Sequence, residues 1–249
     1  MRIPFVGGNW KCNGTKKSVF DLVNILNNSN DFNNVDIICA PTSLHLDYVV
    51  NNLRSDFKLA IQNICSYPNS GAYTGELTPD IVKDFGIDWA IVGHSERRHK
   101  IASESDKILY KKTKSCISKG VKVIFCIGEV LQERKDGLTL EICKQHLQLL
   151  VNSLTKEEWK NIVIAYEPVW AIGTGETASP EQAEEVHSNI RQWLFDNIGD
   201  TANSIRIIYG GSVKPNNCQN LYNQPNIDGF LIGGCSLNSD FLKIINSIL

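Results

Sequence analysis

Four polar residues at the ends of apolar segments carry groups that could transfer a proton. Asn9, His94 and Glu167 each end such a segment, and Lys11 follows the first one. A carboxylate can remove a proton from carbon, while an imidazole, an ammonium group and an amide can stabilise charge that grows on oxygen. Taken singly, Glu167 could be a helix cap and His94 a core histidine. Taken together, without metal ligands or a nucleophile beside them, they indicate proton transfer next to a carbonyl group.

Two of these residues are predicted to face the same side of the chain. Asn9 and Lys11 lie two positions apart, and alternate residues of an extended segment share a face. His94 is followed by Ser95-Glu96-Arg97, which can begin a helix. The positive end of a helix dipole disfavours an imidazolium, so we expect His94 to be a neutral donor.

Glycine pairs near the end of the chain predict an anion site. Gly210-Gly211-Ser212 and Gly233-Gly234 each follow an apolar segment and precede a helical one. Without side chains in the way, backbone N–H groups can approach an anion at the start of a helix. A single glycine pair could equally well be a tight turn between a strand and a helix. Two such pairs in neighbouring loops favour a phosphate site.

Short apolar segments alternate with segments of helical spacing along the whole chain. The apolar segments span residues 3–9, 35–40, 59–63, 89–94, 121–127, 162–167, 205–209 and 229–232, and the helical ones include 18–28, 105–118, 138–154, 180–198 and 241–249. Continuous hydrophobic runs are typical of parallel strands covered on both faces. Eight such repeats in 249 residues predict an α/β fold, a single (β/α)8 barrel over residues 1–249 with helices outside a closed parallel sheet. An open doubly wound sheet is the alternative.

Closure of the barrel would gather the polar strand ends on one rim. The carboxyl ends of all eight strands meet on one face of a (β/α)8 barrel, where active sites are built. A long apolar loop after Glu167 then predicts a lid over that face. Within it, Gly173-x-Gly175-x-x-Ala178 matches a dinucleotide fingerprint. Its first glycine comes six residues after the strand, too late for that motif, so no such cofactor is expected.

Composition excludes several other classes of protein. The charge is near zero, with 25 Lys+Arg against 27 Asp+Glu, which argues against nucleic acid as the main partner. Apolar runs are far shorter than a membrane span, and the polar turn after the first glycines predicts no signal peptide, hence a cytoplasmic protein. The eight cysteines are scattered and form no metal-ligand pattern. We expect reduced thiols that fill apolar space, and no metal site.

Five motifs together resemble the triosephosphate isomerase family over the whole chain and in order. They are Gly8-Asn9-Trp10-Lys11, the segment 91–98 around His94-Ser95-Glu96-Arg97, the segment 165–175 around Glu167, Tyr209-Gly210-Gly211-Ser212, and the segment 229–234 that ends in Gly233-Gly234. The resemblance implies interconversion of dihydroxyacetone phosphate and D-glyceraldehyde 3-phosphate without a cofactor, in glycolysis and gluconeogenesis.

The resemblance also implies a role for each matching residue. Glu167 would be the base, His94 would act on the two oxygens, and Lys11, with Asn9 and Glu96 beside it, would neutralise charge. Backbone N–H groups would hold the phosphate, and an apolar clamp would cover the base when the lid shuts. The implied phosphate-binding residues are Gly173, Ser212, Gly233 and Gly234, and the implied lid and clamp residues are Pro168, Val169, Trp170, Ala171, Ile172, Gly173, Thr174, Gly175, Glu176 and Leu231. Glu176 stands where the family usually has Lys, so we expect it to change lid motion and not the chemistry.

A homodimer is the implied assembly. The loop from Cys65 to Glu76 would project into a second copy of the chain, with Thr74 near the partner's site and Glu76 paired with Arg97 across the interface. Cys12 should lie near this contact, and we expect its modification to weaken the dimer.

Two other functions fit the residues less well. A sugar-phosphate epimerase of this fold usually needs metal ligands, and a class I aldolase needs a lysine that ends a strand, whereas Lys122 opens one. A catalytically idle barrel that serves as a scaffold would have no need of Glu167, His94 and Lys11 together.

Overall fold

Eight parallel strands form a closed barrel in the computed structural model, which describes residues 2–172 and 178–249. Each strand pairs with its neighbours in chain order, and β1 also pairs with β8 to close the ring. The strands are β1 (Phe5–Asn9), β2 (Asp36–Ala40), β3 (Phe57–Ile61), β4 (Trp89–Val92), β5 (Lys122–Ile127), β6 (Ile162–Tyr166), β7 (Arg206–Tyr209) and β8 (Gly229–Ile232). The closed barrel predicted from the sequence is therefore confirmed.

Helices surround the barrel and follow every strand. They are α1 (Lys16–Asn27), α2 (Leu46–Asn52), α3 (Pro79–Asp84), α4 (Asp106–Ser118), α5 (Leu131–Lys135), α6 (Thr139–Val151), α7 (Lys156–Trp159), α8 (Pro180–Ile198), α9 (Cys218–Tyr222) and α10 (Asp240–Asn246). Helix α8 has the predicted bounds because Pro180 occupies its first turn and the Ser179 side chain accepts the N–H of Gln182.

Both faces of the sheet are buried. One cluster of side chains fills the barrel, and a larger one packs the outer face of the strands against the helices. The inner cluster consists of Phe5, Ile38, Ala40, Ala60, Trp89, Ile91, Ile124, Cys126, Val163, Ala165, Ile208 and Leu231. Burial on two sides explains why the strands read as continuous apolar runs.

The observed strands differ from the predicted ones mainly at their ends. Strand β3 begins two residues earlier than predicted and ends at Ile61, so Gln62 and Asn63 lie beyond it. Strand β4 ends two residues before His94, and strand β6 ends directly before Glu167, so both residues belong to the loops that follow. This places their side chains at the rim and not within the sheet.

Two glycines allow the backbone to approach itself closely beside the barrel. A Cβ atom at Gly128 would lie 1.8 Å from the carbonyl oxygen of Glu167, and one at Gly229 would lie 1.9 Å from that of Phe5. Both residues have positive φ, of 153° and 140°. Only glycine fits at these two positions.

Within the described ranges, no helix is long and apolar enough to cross a lipid bilayer.

Candidate active site

A cavity of about 440 Å³ opens at the carboxyl end of the strands. It brings together nine of the predicted site residues from five strands and the loops that follow them, as the closed barrel requires. These are Asn9, Lys11, His94, Glu167, Ile172, Ser212, Leu231, Gly233 and Gly234. The remaining lining residues are Asn13, Gly210, Gly211, Val213, Lys214, Cys235 and Leu237, of which the glycines alone were singled out from the sequence.

Glu167 lies on the loop after β6. Its Oε1 atom is 2.9 Å from Nε2 of His94, and its Oε2 atom accepts the backbone N–H of Ser95 at 2.9 Å. The Ser95 hydroxyl donates a longer bond, of 3.4 Å, to Oε1. The carboxylate is 2% exposed, so these contacts replace its hydration.

The charges of this pair favour an ionised Glu167. Burial raises the pKa of Glu167, but His94, the Ser95 N–H and Lys11 together lower it by more, so the pKa lies below its ordinary 4.5. Glu167 is therefore a carboxylate at neutral pH and can accept a proton.

The prediction that the helix dipole disfavours a protonated His94 is wrong here, because the pKa of His94 is raised. Burial lowers the pKa of His94, but the charge and hydrogen bond of Glu167 raise it by more, so the pKa lies above 6.5. The helical turn predicted after His94 is present as Glu96–Ile101, and its Glu96 N–H donates to Nδ1 of His94 at 3.2 Å. Because Nδ1 accepts there, a neutral ring carries its proton on Nε2, which faces Glu167.

Lys11 reaches the cavity by a route that differs from the predicted one. Strand β1 ends at Asn9, and Lys11 has a φ of 52°, in the left-handed region. The two side chains share the cavity because of this turn and not because of strand alternation. The Lys11 N–H donates to Oδ1 of Asn9 at 3.0 Å, and Gln62 donates to the Lys11 carbonyl at 2.8 Å.

The ammonium group of Lys11 lies between a carboxylate and the glycine loops. Its Nζ donates to Oε1 of Glu96 at 2.9 Å, and Glu96 also approaches Nδ1 of His94 at 3.5 Å. A Cβ at Gly233 would meet Cε of Lys11 at 3.4 Å. Glu96 contacts both functional groups but does not line the cavity.

The two glycine loops form an open wall of the cavity. Within the described part of the chain, the N–H groups of Ser212, Gly233 and Gly234 donate to no backbone carbonyl. Side chains would close this wall, since a Cβ at Gly211 would lie 2.3 Å from the Tyr209 hydroxyl and one at Gly210 would lie 3.0 Å from Cγ of Glu167. These free donors can bind an anion.

The first part of the predicted lid is anchored on β5 and β6. Trp170 Nε1 donates to Oε1 of Glu129 at 3.0 Å, and the Tyr166 hydroxyl donates to the same atom at 3.1 Å. The turn Val169–Ala171 follows Pro168, and Ile172 reaches the cavity. The predicted lid and phosphate residues Gly173, Thr174, Gly175 and Glu176 lie outside the described residues.

The predicted interface residues lie away from the cavity. Thr74 and Glu76 are exposed on the loop before α3, and Cys12 is exposed beside Lys11. Arg97 donates to Glu104 of its own chain, with a distance of 2.6 Å from Nη2 to Oε1. Six of the eight cysteines are buried, as the interpretation of thiols in apolar space predicts.

Three further residues position the site, and their roles were not predicted from the sequence. Ser95 holds Glu167, Gln62 fixes the turn at Lys11, and Glu129 anchors the lid. Each of them follows a strand end, which was the available signal, but their partners become visible only in three dimensions.

Among the described residues, no group of three or more His, Cys, Asp or Glu side chains is arranged to hold a metal ion.

Comparison with known proteins agrees with this geometry. Residues 4–248 match the family model described as triosephosphate isomerase. The chain belongs to the triosephosphate isomerase family. It is 47% identical over 246 residues to "Triosephosphate isomerase, chloroplastic" of Secale cereale, a match that covers 98% of this chain and 81% of that protein.

Membership in the triosephosphate isomerase family defines the reaction. The chain is an isomerase that interconverts dihydroxyacetone phosphate and D-glyceraldehyde 3-phosphate. The sugar-phosphate epimerase, the aldolase and the idle scaffold are not favoured.

Proposed function

We propose that Glu167 is the base that moves the proton between the two carbons of the triose. The single observation that carries this assignment is the contact of 2.9 Å between Glu167 and His94 in a cavity that Lys11 also lines. An ionised carboxylate, a ring N–H and a cation are the three groups that an enediolate mechanism needs.

Each turnover breaks one C–H bond and forms another. Glu167 takes the proton from C1 of dihydroxyacetone phosphate, and the electrons of that bond form the C1–C2 double bond of an enediolate. Its oxygens exchange a proton through His94, and Glu167 returns the carbon-bound proton to C2. The product is the aldehyde, and both residues end in their starting protonation states.

His94 acts as a neutral donor once the substrate separates it from Glu167. The contact with Glu167 is what raises the pKa of His94. When a substrate oxygen takes the place of that carboxylate, burial remains and favours the uncharged ring. The Glu96 N–H keeps Nδ1 as the acceptor, so Nε2–H points to the oxygens of the substrate.

The phosphate is proposed to bind the glycine wall. Ser212, Gly233 and Gly234 line the cavity, their N–H groups donate to no backbone acceptor among the described residues, and Lys11 lies beside Gly233. Gly173 would add a fourth N–H from the lid. Ile172 and Leu231, which line the same cavity, would exclude water from Glu167 as the lid shuts and so strengthen its basicity.

Isomerisation in deuterated water tests this mechanism. Proton transfer through one carboxylate predicts that deuterium from solvent enters the product at C2, because the proton on Glu167 exchanges before it returns. A direct hydride shift between C1 and C2 would leave the product without deuterium and would contradict the proposal.

We also propose that the chain works as a homodimer through the loop from Cys65 to Glu76. Leu44 is 94% exposed, and Phe85 and Ile81 lie beside it along an apolar groove that also contains Leu77, the residue after that loop. A contiguous exposed apolar surface of this kind is typical of a protein interface. Thr74, Glu76 and Arg97 line a small separate cavity, which could receive the partner's loop.

Three broader assignments complete the proposal. Residues 1–249 are proposed to be a single domain that works in glycolysis and gluconeogenesis in the cytoplasm, and the burial of six thiols fits a reducing compartment. The relative from Secale cereale is named as chloroplastic, so cell fractionation with an antibody to this chain is the deciding measurement. Recovery with plastids would overturn the cytoplasmic assignment.

A further inference from the structure

A second cavity lies at the opposite end of the barrel, where the strands begin. It has a volume of about 550 Å³, and proton transfer does not use it. Arg206, Ile162 and Asp36 are the first residues of β7, β6 and β2, and all three line it. Trp159 at the end of α7 lines it as well.

Arg206 presents two unused donors in this cavity. Its Nη1 atom donates to Asp36, and its guanidinium carbon lies 5.1 Å from the ring centroid of Phe5 and 5.8 Å from that of Trp89. These contacts fix the plane of the group. Within the described part of the chain, no acceptor faces Nε or Nη2, and these two N–H groups form the edge that binds carboxylates and phosphates in a bidentate manner.

Trp159 carries a third donor without a partner. Its side chain is 1% exposed, and its Nε1 atom has no hydrogen-bond partner in the described structure. A buried N–H without an acceptor destabilises the fold. Trp159 also lines the cavity, so its indole signal reports on a molecule bound there.

The other charges around the cavity are already paired or lie on its rim. Asp36 accepts from both Lys58 and Arg206, so its carboxylate is neutralised on both oxygens. Arg2 uses Nε on Asp228 and its two terminal nitrogens on backbone carbonyls. Asp200 is an exposed carboxylate on the rim and opposes an anion from there.

We propose that this cavity binds a small oxyanion through Arg206. The shared chemistry is a carboxylate or a phosphate group that accepts Nε–H and Nη2–H of Arg206 beside the Trp159 side chain, which lines the same cavity. The site is distinct from the catalytic cavity and does not depend on the roles assigned to Glu167 and His94.

Indole N–H signals of the isotope-labelled full chain test the proposal. The five tryptophans give five signals, which single Trp→Phe variants assign, and citrate and inorganic phosphate serve as separate probes up to about 20 mM. We expect a saturable shift of the Trp159 signal with at least one probe. A shift with citrate alone identifies a carboxylate site, and a shift with phosphate alone identifies a phosphate site. Trp170, at the lid, reports separately on phosphate in the catalytic cavity.

Three variants separate a built site from non-specific attraction. Arg206→Lys keeps the charge but loses the two-donor edge, so it should weaken binding about tenfold. Asp200→Asn removes the opposing charge and should strengthen binding about twofold. Lys122→Ala is the matched control: Lys122 also lies over Trp89, at 5.4 Å, but does not line the cavity, and binding should be unchanged.

The outcomes decide the proposal in either direction. A Trp159 signal that does not move with either probe overturns it, and so does equal affinity in Arg206→Lys and the wild type. Loss of isomerase activity in Arg206→Lys would indicate that this variant does not fold. The Asp200→Asn variant, which changes an exposed residue, then decides: tighter binding supports the site and unchanged binding overturns it.

Discussion

Ionisation of Glu167 is the residue-level property on which the chemistry depends. The cationic form of His94, the Ser95 N–H and Lys11 stabilise its carboxylate against the effect of burial and lower its pKa. We predict that carbon-13 NMR of labelled glutamate side chains gives Glu167 a titration midpoint below 4.5. In His94→Gln the stabilising charge is gone, and the midpoint should rise. A midpoint that stays low in His94→Gln would assign the stabilisation to other groups.

Lys11 supplies the positive charge beside the glycine wall. Replacement by Met keeps the length of the side chain but removes a charge-assisted hydrogen bond to the substrate. A bond of this kind contributes about 1.5–3 kcal/mol, so kcat/KM should fall roughly 10- to 100-fold. Lys17→Met is the control, because Lys17 is exposed on α1 and, among the described residues, pairs with Asp21 alone. Steady-state rates for the two variants decide whether Lys11 acts on the substrate.

Residue types could be predicted from the sequence, whereas their contacts could not. Glu167, His94 and Lys11 were found because polar residues that end apolar segments stand out. The positive φ of Lys11 and the bond from Ser95 to Glu167 have no local signal. The first depends on Gln62 from another strand end, and the second joins residues 72 positions apart.

Helix α8 carries a buried histidine that makes stability depend on pH. Burial lowers the pKa of His187 to about 4, while an unfolded chain titrates near 6.5. Between pH 4 and pH 6.5 the unfolded chain binds more protons at His187 than the folded chain does. The contribution of the neutral, buried ring to stability is therefore complete above about pH 6.5 and is lost as the pH falls toward 4.

Urea unfolding at pH 7 and pH 5 measures this effect. Protonation of His187 in the unfolded chain should cost roughly 2 kcal/mol over that interval, and His146, whose pKa is lowered by burial to about 3, should add a similar amount. His187→Gln should reduce the difference between the two pH values by about 2 kcal/mol. His99→Gln changes an exposed histidine and should leave it unaltered; an equal effect of both variants would refute the assignment to burial.

Closure of the barrel between β1 and β8 requires glycine at the start of β8. A Cβ at Gly229 would overlap the Phe5 carbonyl, which belongs to the backbone and cannot turn away. We expect Gly229→Ala to lose more than about 4 kcal/mol of stability, or to yield no folded protein. Gly120→Ala, at a φ of 72° with open space around it, should lose only about 1 kcal/mol. Similar melting temperatures for the two variants would contradict this account.

Long elements were predictable, and short ones were not. Helix α8, with 19 residues, and strand β8 have the predicted bounds. Helices α2, α3 and α9 have seven, six and five residues, which is too short for an apolar period to emerge. Packing against the barrel holds them, and packing cannot be read from a local segment.

At the scale of the whole molecule, the exposed apolar groove predicts how the chain assembles. We predict a sedimentation mass of about twice the 27.8 kDa of the chain. Leu44→Glu would place a charge in the contact and should yield a monomer with lower activity. Leu249→Glu alters another exposed leucine, remote in sequence from that groove, and should leave the mass unchanged. A wild-type mass near that of one chain would rule out the dimer.

The closed barrel is what makes one site from distant parts of the sequence. Residues 9, 11, 94, 167, 212 and 233 all line one cavity. An open sheet would have separated the first strand from the last, and with them Lys11 from Gly233. Joint action of these residues on one substrate is therefore the central property to test.

The most direct test is the turnover number of Glu167→Gln compared with that of Glu129→Gln. Both glutamates are buried at neighbouring strand ends, and an amide oxygen at Glu129 can still accept from Tyr166 and Trp170. Loss of the base predicts that kcat of Glu167→Gln falls by about 10³-fold or more while KM changes little, and that Glu129→Gln stays within about tenfold of the wild type. Retention of wild-type turnover by Glu167→Gln would contradict the proposed proton transfer.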